Sequence, residues 1–243
     1  MRQIPLDMFV EERRKAFGIY DDFFHYTTAE DWTTVASDSG TIVHEDAVGG
    51  VILLSPSDGT VANNDEIYLK GTTERYKYLS DQPIEFETRA KFTEANTDDA
   101  NVILGLMNAV AANSLQDDGA GPPASSNHVV FFKVDGGTKW QVESSLGTTQ
   151  TTNTVRNVTT AGDGTWRRFQ ISVRPITSVL AEVIFFIDGE QCLDNTTGLP
   201  IKHVVDFTSG ATEMQEIAGQ KNGADTNVEG LRLDYICARQ LRA

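Results

Sequence analysis

The chain has only two cysteines in 243 residues, seven prolines, no long apolar run and a deficit of positive charge. Each shortage excludes something. With one possible pair, Cys192 and Cys237 fit buried thiols better than a disulfide framework. No stretch is apolar for long enough to cross a bilayer, which argues against a membrane partner. The opening "MRQIPLDMFVEERRKAF" places charges at Arg2, Asp7 and Glu11 to Lys15, which breaks up any secretory core. These features predict a soluble protein made in the cytoplasm. Lys and Arg number 20 against 35 Asp and Glu, a net charge of -15, so a nucleic-acid backbone is excluded as partner.

What remains is the texture of strands and turns. Thr, Val, Ile, Phe, Gly, Asn and Asp recur in short runs, and helix-favouring blocks are scarce. The expected fold class is all-β, in one domain over 21–243. Residues 1–20 differ, with Arg2, Arg13, Arg14 and Lys15 outweighing Asp7, Glu11 and Glu12. They are expected to form an N-terminal arm in which Phe9, Arg13 and Phe17 share one face of a short helix-capable piece and, with Arg14, dock on a neighbour.

Strand periodicity divides the body. In "PIEFETRAKFTEA", Ile84, Phe86, Thr88, Ala90 and Phe92 alternate with Glu85, Glu87, Arg89 and Lys91, the period-two pattern of a strand wet on one face. "NVILGLMNA", "HVVFFKVDGG" and "AEVIFFIDGE" carry apolar residues on both parities. Such strands are covered on both sides, and Ile103, Phe131, Ile184 and Phe186 are the candidates for the second covered face, against another sheet or another subunit. The Gly-, Pro- and Asp-rich loop from Asn108 to Asn127 is long enough to be either mobile or functional.

Catalytic signatures are sparse. A retaining glycosidase needs two carboxyl groups about 5–5.5 Å apart, which a Glu-x-Asp-x-x-Glu run supplies on such a strand. The nearest run, Glu85 to Ala90, lacks the third acid, and Asp188-Gly189 reads more simply as a hairpin turn. His25, His44, His128 and His203 lack zinc spacing, and Asp98-Asp99 and Asp117-Asp118 lack the calcium-loop spacing, so no metal or other cofactor is expected. No nucleophile elbow or phosphate loop occurs. Trp32, Trp140, Trp166, Tyr68, Tyr76 and Tyr78 are the aromatics a sugar platform would draw on, although core packing is their commoner role.

"TWRRFQISVRP", "AEVIFFIDGE" and "LRLDYICARQ" resemble the late strands of concanavalin-like and laminin-G-like jelly rolls, which implies a two-sheet antiparallel jelly-roll sandwich. "FTEANTDDANVILGLMNAVAANSLQDDGAGPPAS", "VVFFKVDGGTKWQVESSLGTTQTT" and "FFIDGE" resemble a group of structural proteins of tailed bacteriophages, from about Asp21 onward. That second resemblance implies a non-enzymatic virion protein on the capsid exterior, a decoration or cement protein bound to the major capsid protein and to itself as a homotrimer. The alternative is a carbohydrate-binding, lectin-like module on a virion surface for host attachment.

Overall fold

The computed structural model describes residues 15–26, 30–45, 47–57, 59–60, 62–94, 99–223 and 229–242. Every named element among them is a strand, in two antiparallel sheets. The larger sheet runs β13 (Glu190–Gln191), β12 (Leu180–Ile187), β11 (Arg167–Pro175), β6 (Ile84–Thr93), β16 (Gly230–Leu241), β4 (Val51–Ser55) and β3 (Thr41–Glu45). Two more strands join it: β1 (Ala16–Asp21) pairs with β16, and β14 (Lys202–Asp206) pairs with β12. The smaller sheet runs β10 (Thr149–Thr154), β9 (Gln141–Leu146), β8 (His128–Lys133), β7 (Ala100–Met107), β15 (Gln215–Asn222), β5 (Glu66–Gly71) and β2 (Trp32–Ala36). The expected jelly-roll sandwich is what the chain forms.

The alternating strand β6 behaves as its pattern dictates, with Ile84, Phe86, Thr88, Ala90 and Phe92 buried between the sheets and the charged residues outside. Facing it, Phe131 lies edge-on to Phe169 and Phe185, with ring centroids 5.2 and 5.4 Å away. Phe131 thus belongs to the ordinary inter-sheet core, and its strand neighbours Val130 and Phe132 point the other way. At Asp188-Gly189 both residues have positive φ (55° and 83°), the geometry of a two-residue hairpin turn joining β12 to β13.

The second covered face of the smaller sheet is closed by the chain itself. Tyr68, Ile103, Met107, Val130, Phe132 and Ile217 form a second apolar cluster on its outside, capped by Val110 and Leu115 from the 108–127 loop. The loop is therefore a structural cover, where its length had suggested mobility or function. Lys221, fully buried on β15, holds it down by donating to the Asn113 side chain at 2.5 Å and the Leu115 carbonyl at 3.2 Å, and by pairing with Asp117. Glu66 accepts from the Asn113 N–H at 3.0 Å and from the Tyr68 hydroxyl at 2.9 Å, and lies 3.7 Å from the Lys221 ammonium. At the loop's other end His128 links Ser126 and Glu143, each at 2.8 Å.

Candidate functional site

The outer face of the larger sheet is built from transverse rows fixed by strand register. Phe186, Gln170, Glu87, Cys237 and Tyr20 stand in one row across β12, β11, β6, β16 and β1. Ile184, Ser172, Glu85, Arg239 and Gly18 form the next. On the other side, Arg168, Arg89 and Tyr235 make a third row. Between these rows lies a depression of ≈ 470 Å³ lined by Tyr20, Glu85, Glu87, Gln170, Tyr235 and Arg239.

A β-bulge shapes one wall. Leu233 pairs with Ala90 and Tyr235 with Arg89, so Asp234 is the extra residue in β16. A bulge lets neighbouring residues share a face that strict alternation would separate. Asp234 and Tyr235 accordingly are both partly exposed, while Leu233 and Ile236 on either side are buried. Asp234 accepts from Arg89 at 2.6 Å, and that guanidinium lies 4.7 Å from the centre of the Trp166 ring.

Tyr235 donates its hydroxyl to Glu87, whose other oxygen accepts from Gln170 at 2.6 Å. Burial first, then the Glu87 carboxylate, pushes the Tyr235 hydroxyl up, so it stays a proton donor throughout the physiological range. Tyr20, 67 % exposed, stacks beside it with ring centroids 6.1 Å apart. Glu85 accepts from Ser172 at 2.9 Å, and the same hydroxyl takes a bond from Arg174 at 3.1 Å. Among the described residues, the guanidinium groups of Arg168 and Arg239 make no ion pair or side-chain hydrogen bond.

The carboxylates of this face are already engaged by neighbouring donors. Glu85 and Glu87 lie two apart on one strand, and Asp234 is held by Arg89. The position where a third acid of the glycosidase run would fall, Ala90, is buried in the core. Cys237 is a free thiol whose pKa burial raises, which leaves it a poor nucleophile. His128 and His203 are consumed in buried networks, and among the described residues no group of three or more His, Cys, Asp or Glu could hold a metal ion.

Of the residues singled out in the sequence, Ile184 and Phe186 stand at the β12 end of the two rows, and Ile103 lies on the opposite sheet beneath the loop. Phe17 is part of β1, stacked on Tyr76 at 6.2 Å with the Arg242 guanidinium 5.3 Å from its ring centre, so within the sheet it serves packing. Phe9, Arg13 and Arg14 lie outside the described residues. Five of the six candidate platform aromatics, Trp32, Trp140, Tyr68, Tyr76 and Tyr78, are buried, and only Trp166 is partly open. Sequence reading missed Tyr20, Gln170, Tyr235 and Arg239. The signal for Tyr235 was present: apolar parity changes from Leu231 and Leu233 to Ile236 and Ala238, which marks the bulge.

No protein-family model matches the chain, and no curated protein matches it significantly. Solved structures do match its shape. An endo-1,3-β-glucanase from Streptomyces sioyaensis aligns over 100% of both chains with TM-score 0.62 at 12% identity. Peanut lectin aligns over 94% of this chain and 99% of its own, with TM-score 0.60 at 11% identity. An endo-β-1,4-glucuronan lyase from the fungus Trichoderma reesei aligns over 90% and 94%, with TM-score 0.57 at 10% identity. At such identities the likeness establishes a concanavalin-like jelly-roll fold. It spans enzymes and lectins alike, so the chemistry has to be argued from this chain's own residues.

Proposed function

We propose that this protein is a non-catalytic carbohydrate-binding module whose site is the depression on the outer face of the larger sheet. The observation that carries the reading is the Tyr20–Tyr235 pair beside the Glu87–Gln170 hydrogen-bond network, on a sheet face that the described residues leave open. A pyranose ring presents an apolar C–H face, which a tyrosine ring accepts, and a rim of hydroxyls, which need paired donors and acceptors. Tyr20 supplies the first; Glu85, Glu87, Gln170 and Arg239 supply the second. The lectin and glucanase neighbours support the reading at the level of fold.

Catalysis is not part of this proposal, because Glu85 and Glu87 are both held by neighbouring donors and buried Ala90 stands where the glycosidase run has its third acid. A glycan array followed by calorimetry tests the reading. Tyr20→Ala and Gln170→Ala should each weaken binding about tenfold, the effect of losing ~1.4 kcal/mol of contact. Glycan binding that ignores both substitutions, or no binding to any glycan, overturns it. Release of reducing ends from a bound glycan, abolished in the Glu85→Gln, Glu87→Gln double variant, would overturn the non-catalytic part alone.

The phage resemblance would put such a module on a virion surface. Decoration of a capsid shell is the second reading, and exposed Leu199 and Val204 near the edge of the larger sheet favour it as apolar contact points. Binding of the purified protein to bare capsids tests that reading directly.

A further inference from the structure

The edge strand β14 has the sequence Lys202-His203-Val204-Val205-Asp206, and among the described residues it pairs on one side only, with β12. The Phe207 N–H donates to the Val179 carbonyl at 2.8 Å, which sets the alternation along this edge. Backbone groups of His203, Val205 and Phe207 face β12, so those of Lys202, Val204 and Asp206 face away from the sheet. The side chains of the same three residues are exposed on the sheet's outer face, and those of His203 and Val205 are buried.

A free edge with outward N–H and C=O groups is a template for another strand. Proteins usually protect such edges with charges. Here the charges have opposite sign and stand equally far on either side of Val204, so they repel a mismatched strand and match an antiparallel copy of themselves. Centred on Val204, that pairing sets Lys202 against Asp206, Val204 against Val204 and Asp206 against Lys202. In each pair both residues point their backbone groups at the partner, the condition for a hydrogen-bonded pair. We propose that β14 pairs with β14 of a second copy about a two-fold axis normal to the sheet, joining two larger sheets into one.

Five paired residues alone fall short of the roughly 1,000 Å² that a specific interface buries. Further apolar surface lies at the ends of the strand. Ile176 and Val179 are 54% and 36% exposed in the turn near the Asp206 end, and Leu199 is 65% exposed just before Lys202. Antiparallel pairing carries Leu199 of one copy towards Ile176 and Val179 of its mate. Opposite residues of an antiparallel pair share a face, so both depressions open to the same side, an arrangement that gives avidity for a repeating ligand. The interface itself stands whether or not that ligand is a glycan.

Light scattering and sedimentation of the full chain over a range of concentrations provide the test. The expected mass is twice that of the chain, falling to one copy on dilution. Val204→Lys sets like charges face to face at the axis and should raise the dissociation constant roughly a hundredfold or more. Lys202→Asp alone and Asp206→Lys alone should do the same, while the double exchange restores the dimer because the pattern is again complementary. Unchanged thermal melting of the variant monomers separates lost association from lost folding. A monomer at all concentrations, a trimer, a dimer indifferent to Val204→Lys, or failure of the double exchange to rescue would each overturn the proposal.

Discussion

The outer faces of the two sheets have met opposite fates. That of the smaller sheet is apolar, with Ile103, Val130, Phe132 and Ile217, and the chain spends its longest loop covering it. That of the larger sheet carries Glu85, Glu87, Arg89, Gln170 and Tyr235, satisfies them laterally with one another or with Ser172 and Asp234, and is left open by the described residues. Covering an apolar face stabilises the fold and removes it from use. A face whose polar groups are already paired along the sheet costs little to leave exposed, and so remains available to a ligand.

The contrast is broken most severely at Lys221. Its ammonium is buried among Glu66, Asn113, Leu115 and Asp117, and it is the main tie between loop and sheet. Lys221→Ala leaves the buried Glu66 carboxylate without its cation, a change that costs about 3–5 kcal/mol. Urea denaturation should show a loss of that size. Protease cleavage should appear first within 108–127, and glycan binding on the opposite sheet should persist in the molecules that remain folded. Concurrent loss of binding at temperatures well below the melt would mean the two faces are coupled.

Loosening the seam between the sheets is the next test. His203 on β14 is buried, with Ser144 at 2.9 Å on one ring nitrogen and Asn153 at 3.0 Å on the other. Burial pushes its pKa down to about 4, with Glu143 opposing the shift. The unfolded chain takes up a proton near the ordinary histidine value of ~6.5, and the folded chain refuses it until about 4. Stability therefore falls as pH falls through that window, by up to roughly 3 kcal/mol, and this contribution is flat below it. Comparing wild type with His203→Gln in urea melts at stepped pH isolates the effect: the difference between the two curves should change across the window and be constant outside it.

How much of this contrast the sequence discloses depends on how local its cause is. The wet face of β6 is legible because four apolar residues and Thr88 alternate with four charged ones without a break from Ile84 to Phe92. That β7 and β8 are covered twice is legible too, since both parities are apolar. What covers them is not, because Val110 and Leu115 are isolated apolar residues in a stretch rich in Gly, Pro and Asp, and only the tertiary tie at Lys221 brings them down. Phe131 could not be told from Val130 and Phe132 by parity alone, as a strand buried on both faces gives no wet side to orient it. The depression was harder still. Its residues come from four strands, and Tyr20 sits in a segment whose charge had set it apart from the body.

A smaller effect is expected at Tyr235. Its hydroxyl is half of the pair that holds Glu87, so Tyr235→Phe should cost about 1 kcal/mol of stability. Binding should suffer more, because the ligand then meets a carboxylate that has lost one of its two donors. A variant with full affinity would shift the site away from this row and towards Arg239 and Ser172.

The smallest change expected is the one that sharpens the comparison most, because it repeats the chemistry of the first in the other setting. Arg232 on β16 pairs with Glu45 on β3 at 2.8 Å, closer than the 3.7 Å between Lys221 and Glu66, but both side chains are 28% exposed. Water already solvates the two charges, so removing one strands nothing in a medium of low dielectric. Arg232→Ala should therefore cost less than about 1 kcal/mol, and that loss should shrink further in high salt. If it matched the loss at Lys221, the difference between the faces would lie in strand pairing and not in solvent access. A small, salt-dependent value would assign the stability of this sandwich to the covered face and leave the open one free to vary with its ligand.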